Sequence, residues 1–216
     1  MSREEEKRLA AEAAAELVED GMRVGLGTGS TVAFLVQALA KRRIRVEFVA
    51  TSPRTADLAR SLGMVIEPFD AFDRLDLAID GADQLATDGW LIKGGGGAHT
   101  REKIVAAAAK RYVVIVDSSK IVNVLHAPVP VEIQSFGLAA TLRHLDPTRR
   151  RAGDLSPDGG VIADYWGEIG NPVDLAERLS GTPGLIAHGL FAPALVTDVL
   201  VGIGKTVKRS TTGGMS

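Results

Sequence analysis

Between Lys93 and Glu102 the chain carries four consecutive glycines, Gly94, Gly95, Gly96 and Gly97. Without Cβ atoms, such a run can take positive φ angles and turn its N–H groups outward. The alanine-rich stretch from Thr100 to Lys110 predicts a helix, so the glycines fall where helix N–H groups and the positive dipole end converge. An anion suits that geometry. Lys93 before the run and Glu102 in the first helical turn add a cation and a base to an oxyanion site. The same residues also fit a flexible loop whose first-turn glutamate answers only the helix dipole.

Three further segments have comparable chemistry. Gly25-Leu26-Gly27-Thr28-Gly29-Ser30-Thr31 joins a strand to a helix. Ser30 stands where the third glycine of a dinucleotide fingerprint would fall, and the lysine of a P-loop is missing. The turn is left to hold a single phosphate or sugar hydroxyls, or to be a tight turn capped by Ser or Thr. Asp80-Gly81-Ala82-Asp83 follows another strand. Its carboxylates suit acid/base work, sugar hydroxyls or a metal, and equally an Asx turn. Asp117-Ser118-Ser119-Lys120 follows a third. Four polar strand ends are expected on one rim of a parallel sheet, the edge where open α/β folds bind ligands.

The elements that must position these residues alternate. The pattern predicts a helix over 4–20, strands over 22–26, 44–50, 64–67, 75–79 and 112–116, and helices over 32–41, 51–62 and 100–110. Strands alternating with helices indicate an α/β, Rossmann-like three-layer domain with a parallel sheet. After Ala127, residues 129–133 alternate like a half-exposed strand. A helix over 137–145, a turn-rich stretch around 154–160, a strand over 161–166, a helix over 173–179 and a strand over 185–190 follow. This series is read as a smaller ferredoxin-like α+β insert. The expected division is 1–128 with 198–216 for the Rossmann-like domain and 129–197 for the insert. The tail from Ser210 is expected to fray.

Composition narrows the classes. The 216 residues have a net charge of −2 and no cysteine. That charge argues against a nucleic-acid partner, and no apolar run approaches the roughly 18 residues a membrane span needs. The charged N-terminus does not read as a secretory signal, so the cytoplasm is expected. Without cysteine there is no thiolate nucleophile or ligand. His99, His126, His144 and His188 lack metal-ligand spacing and are expected on the surface or in packing. Gly202-Ile203-Gly204-Lys205-Thr206 ends like a P-loop but has Val199 where its first glycine should be. The Arg149-Arg150-Arg151 triplet reads as a solvated edge.

Taken together, the chain resembles type A ribose-5-phosphate isomerases. The matching segments are Gly27–Thr31, Asp80–Asp83, Lys93–Ala98 with Thr100-Arg101-Glu102-Lys103, Asp117-x-Ser119-Lys120 and Gly189-Leu190-Phe191. The resemblance implies interconversion of D-ribose 5-phosphate and D-ribulose 5-phosphate through an enediol(ate), without metal or organic cofactor. It implies Glu102 as general base, Lys93 with the Gly94, Gly95 and Gly96 amides stabilising the enediolate, and Asp80 with Asp83 binding sugar hydroxyls and assisting ring opening. Thr28, Gly29, Ser30 and Thr31 would form the substrate loop with Gly81 and Ala82 nearby. Lys120 would contact substrate and Lys7 would be a lesser phosphate contact. A homodimer or homotetramer is implied. The family usually has glutamate where this chain has Gln84, and an Asp-Asn-Gly-Asn turn where it has Pro157-Asp158-Gly159-Gly160, and the stretch Tyr165 to Asn171 is atypical of it. The second-domain changes are expected to alter packing or oligomer contacts. The competing classes are a sugar-phosphate sensor, which would be expected to carry a DNA-binding helix-turn-helix, and an amino-sugar phosphate deaminase or CoA transferase, which would need other motifs.

Overall fold

The computed structural model describes residues 2–153 and 155–211. In chain order its elements begin α1 (Arg3–Ala15), β1 (Arg23–Leu26), α2 (Ser30–Ala40), β2 (Glu47–Ala50), α3 (Pro53–Ser61) and β3 (Leu77–Asp80). They continue with β4 (Gln84–Ala86), β5 (Leu91–Ile92), α4 (His99–Ala108), β6 (Tyr112–Asp117), β7 (Ile121–Val122) and β8 (Val129–Ile133). The rest are α5 (Leu138–His144), β9 (Thr148–Arg150), β10 (Val161–Tyr165), α6 (Pro172–Ser180), β11 (Leu185–His188), β12 (Leu190–Phe191), β13 (Asp198–Ile203) and β14 (Thr206–Thr211). They form two compact units. One is Met1–Ala82, Arg101–Ile121 and Ala194–Ser216, and the other is Asp83–Thr100 and Val122–Pro193. Relative to the expected division, 83–100 and 122–128 fall in the second unit and 194–197 in the first.

The first unit is built on a sheet of order β14-β13-β6-β3-β1-β2. All neighbours are parallel except the β13–β14 hairpin. From β1 the chain runs outward to β2, then returns across β1 to β3. The carboxyl ends of β1 and β3 therefore flank a topological switch point, where ligands enter such sheets. On one face, Ala10, Ala11, Ala14 and Ala15 of α1 and Leu35, Val36 and Leu39 of α2 pack with Leu26, Ile79 and Ile115. Each large side chain buried there contributes roughly 1.5–3 kcal/mol. On the other face, Val105 of α4 lies so close to Gly25 that a Cβ there would come within 2.4 Å of it.

Several boundaries differ from expectation for identifiable reasons. α1 begins with a capping box between Ser2 and Glu5 but stops at Ala15. The Arg42 guanidinium explains the stop, donating to the carbonyls of Ala15 and, at 2.9 Å, Val18. The expected strand over 64–67 reduces to a single bridge between Phe48 and Ile66, because Pro68 then interrupts the ladder. Ser210 and Thr211, expected to fray, pair in β14; the rest of the tail lies outside the described residues. The false P-loop is the tight turn of that hairpin, with Gly204 at φ +55°.

The second unit carries β8-α5-β9-β10-α6-β11 in the ferredoxin-like order, with sheet order β11-β8-β10-β9 and antiparallel neighbours. Val129, Val131 and Ile133 join Leu145, Leu175, Leu179 and Tyr165 in its core. β8 is not half-exposed: all five of its residues are buried, because it is a central strand covered on both faces. The stretch 165–171 serves packing. Arg178 donates to the Tyr165 hydroxyl at 2.6 Å, and Asn171 caps α6. Short antiparallel pairs β12–β5 and β5–β4 form a further sheet in this unit.

Candidate functional site

In the first unit the site begins where β1 and β3 end. Asp80, only 2% exposed, accepts the Thr28 N–H at 3.0 Å and the Gly81 N–H at 2.7 Å on Oδ1. Gly27 permits this, since a Cβ there would sit 1.9 Å from the Asp80 carboxyl. The next strand end adds support that the sequence pattern did not reveal. Thr51 after β2 shares a 2.9 Å hydrogen bond with the Thr28 hydroxyl, and the Thr55 hydroxyl donates to the Gly27 carbonyl at 2.8 Å. Gly29, with φ +126°, occupies the N-cap of α2 and supplies no side-chain cap. Ser or Thr capping is thereby set aside. The α2 N-terminus, with Gly29 and Ser30 exposed and Thr31 buried, has the form of an anion site.

At the end of β6, Asp117 accepts the Ser119 N–H at 3.0 Å and turns the chain into Ser118–Lys120, leaving Lys120 partly exposed. Glu6 of α1 holds this turn by accepting the Ser118 N–H at 3.1 Å and hydroxyl at 2.6 Å. Its other oxygen accepts the Gly204 N–H at 2.8 Å. The Ser118 hydroxyl foremost, then these amides, hold the Glu6 carboxyl below its ordinary range. Lys7 pairs with Glu4 at 2.8 Å. Glu102, in the first turn of α4, is 3% exposed. Burial pushes its neighbour Lys103 down to about 8.

In the second unit the glycine run leaves β5, not a parallel strand. The expectation that it lies on the rim of the parallel sheet is corrected: β5 belongs to the short antiparallel sheet, and strand ends of β1, β2, β3 and β6 supply the parallel rim. Lys93 is 2% exposed, with its Nζ 5.4 Å from the Phe191 ring centroid. Its N–H donates to the Gly189 carbonyl at 2.8 Å. A Cβ at Gly189 would come within 2.1 Å of the Lys93 carbonyl, which accounts for the glycine before Leu190-Phe191. Asp83 accepts the Gly95 N–H at 2.7 Å. Gly94, at φ +109°, lies against His99, which is fully buried. Among the described residues no group of three or more His, Cys, Asp or Glu side chains could hold a metal.

Against known proteins, the model of the family described as ribose 5-phosphate isomerase A (phosphoriboisomerase A) matches residues 47–205. The chain belongs to this family. It is 45% identical to ribose-5-phosphate isomerase A of Caulobacter sp. (strain K31), over 97% of this chain and 99% of that one. The structure superposes on ribose 5-phosphate isomerase A from Neisseria gonorrhoeae with a TM-score of 0.92 at 32% identity, covering 98% of both chains. The Methanocaldococcus jannaschii enzyme gives 0.91 at 36% identity, over 97% of this chain and all of that one. A D-ribose-5-phosphate isomerase in complex with phospho-erythronic acid gives 0.91 at 34%, over 98% of this chain and all of that one. The DeoR C terminal sensor domain also matches, over residues 2–63 alone.

As a member of the isomerase family the chain has two features its motifs did not announce. The first is Glu132 on β8, 1% exposed, which accepts from the Thr100 hydroxyl and, at 2.5 Å, from the Ser156 hydroxyl. Gly160 completes the cover, since a Cβ there would lie 2.1 Å from the Glu132 carboxylate. The Pro157–Gly160 turn thus packs over this carboxylate. The second is Arg151, which is not part of a solvated edge. It binds Asp164 through two nitrogens and the Gly94 and Gly95 carbonyls through a third. A basic triplet gives no hint that its last member turns inward. Gln84, in place of the family's usual glutamate, pins His126 from both ends, donating to its carbonyl at 2.7 Å and accepting its N–H at 2.9 Å.

Proposed function

We propose that this chain interconverts D-ribose 5-phosphate and D-ribulose 5-phosphate by proton transfer through a cis-enediolate. Family membership supports the reaction. The observation that carries the residue roles is the burial of two chargeable groups flanking the glycine run, Lys93 at 2% exposure and Glu102 at 3%. Burial excludes water and strengthens electrostatic interactions with a developing oxyanion. Glu102 takes the C2 proton of the open-chain aldose and returns it to C1, while the hydroxyl proton shifts from O2 to O1. Lys93 and the Gly94–Gly96 amides offset the charge on the enediolate oxygens. Asp80 and Asp83 bind sugar hydroxyls and assist ring opening. Thr28, Gly29, Ser30 and Thr31, together with Lys120, hold the substrate and its phosphate. Lys7 is a lesser phosphate contact.

Neither an organic cofactor nor a metal is required in this scheme. The assembly proposed is a homodimer or homotetramer, read by light scattering, with the cytoplasm as its compartment. No helix among the described residues is long and apolar enough to cross a membrane. The deciding assay offers ribose 5-phosphate, arabinose 5-phosphate and allose 6-phosphate to the purified protein in EDTA. Turnover of ribose 5-phosphate alone is expected, and activity that vanishes on chelation and returns with a divalent metal would exclude the scheme. Glu102→Gln should lower kcat by roughly 10²–10⁴-fold with a modest change in KM. Lys93→Ala should also lose turnover, and an unchanged rate would remove it from the oxyanion role.

A further inference from the structure

We propose that Arg151, locked by Asp164, is a positioning residue that sets the direction of the glycine-run amides and so shapes the oxyanion site; this rests on the isomerase reading above. Arg151 follows β9, and its N–H donates to the Ile162 carbonyl of β10 at 3.0 Å. Asp164 lies two residues further along β10, so the two side chains meet diagonally across the strand pair. Nε and Nη2 of Arg151 grip the carboxylate side-on, at 2.8 and 2.6 Å from Oδ2 and Oδ1. A bidentate fork of this kind fixes the plane of the guanidinium.

The remaining nitrogen, Nη1, then points at the glycine run and donates to the Gly94 carbonyl at 2.9 Å and the Gly95 carbonyl at 3.2 Å. In a planar trans peptide the N–H is directed opposite to the C=O. Two successive carbonyls drawn to one nitrogen therefore send the N–H groups of Gly95 and Gly96 to the opposite side. The Gly95 N–H meets Asp83 there at 2.7 Å, which confirms the direction. The Gly94–Gly95 peptide is thus held at both ends by side chains, and the Gly96 N–H is aimed to the side on which Asp83 lies. Adjacent amides converging in this way make an anion-binding concavity. The Gly94 carbonyl also accepts the Gly97 N–H at 3.0 Å, closing a turn over Gly95 and Gly96, and the arginine adds to this turn a second hold on the Gly94 carbonyl and a hold on the Gly95 carbonyl. A lysine cannot replace it, because a single ammonium lacks the fixed fork that spans a carboxylate and two carbonyls together.

The test compares wild type, Arg151→Ala, Arg151→Lys and Asp164→Asn in ribose 5-phosphate isomerisation, each with a melting curve. Arg151→Ala should lose about tenfold to a hundredfold in kcat, the scale of a small misplacement of catalytic groups, with KM nearly unchanged. Arg151→Lys should fall comparably, and Asp164→Asn by less. Guanidinium added well below denaturing concentrations should restore part of kcat to Arg151→Ala and none to Arg151→Lys. Wild-type kcat in Arg151→Ala would overturn the proposal, as would a loss that tracks melting temperature and is not restored by guanidinium. Wild-type protein that fails to isomerise would overturn the functional reading and this proposal with it.

Discussion

Both units present backbone amides at polar turns, but they hold them differently. In the first, the Gly27–Thr31 turn leaves a parallel strand, and its neighbours are other strand ends. Asp80 binds the Thr28 amide, and Thr51 and Thr55 bind the Thr28 hydroxyl and the Gly27 carbonyl. Sheet topology alone brings β1, β2 and β3 to one edge. In the second, the glycine run leaves a two-residue strand and is gripped by side chains on both sides, Asp83 at an N–H and Arg151 at two carbonyls. A turn at a parallel rim inherits its place from the sheet. A turn elsewhere has to be clamped, and its clamps can come from any part of the unit.

The largest expected effect tests the sheet-held turn. Gly27→Ala would drive a methyl into the Asp80 carboxyl, which is fixed by two amides, so kcat should fall at least as far as in Glu102→Gln. Retained activity in Gly27→Ala would show that the Asp80 contact is dispensable. Gly95→Ala is the counterpart in the clamped turn. The clash there is with the end of the Asp83 side chain at 2.7 Å, which can rotate away. A loss of roughly tenfold is expected, the lower end of a slight misplacement. Should Gly95→Ala prove worse than Gly27→Ala, the contrast between rigid and adjustable supports would be wrong.

The smallest effect concerns Glu6, which reaches from α1 to hold the Ser118–Lys120 turn on the first unit's rim. Its folded-state carboxyl lies below the ordinary value of 4.5, so its ionised form stabilises the fold at neutral pH. That contribution is present above the unfolded value and is lost as pH falls through the folded one. Glu6→Gln should therefore melt lower than wild type at neutral pH, and the gap should close on acidification. A gap that stays constant with pH would mean that the charge on Glu6 does not matter. With Ser118 released, KM for ribose 5-phosphate should rise slightly if Lys120 contacts the substrate.

Much of this was legible in the chain. Alternating elements point to the parallel sheet, and the strands and helices after Ala127 point to the ferredoxin-like unit. Turn residues placed Gly27–Thr31, Asp80 and Asp117 at strand ends because each must follow a buried apolar run. The short strands β4, β5, β7, β9 and β12 were not legible, since two or three residues carry no periodicity. Missing β5 is what put the glycine run on the wrong sheet. β8 looks half-exposed in sequence because Glu132 resembles a solvent-facing position, whereas in the fold Thr100 and Ser156 bind it.

Residue types near one another in sequence thus pointed to the proposed chemistry: a lysine and a glutamate around four glycines, and aspartates and hydroxyls after strands. Local periodicity determined the fold class in the same way, since both depend only on neighbours along the chain. The tertiary structure decided which side chains orient the backbone of those turns. Arg151 lies 57 positions from Gly94, and Glu6 lies 112 from Ser118. A hydrogen bond acts over about 3 Å, whatever the separation in sequence, so partners this distant leave no local pattern to read.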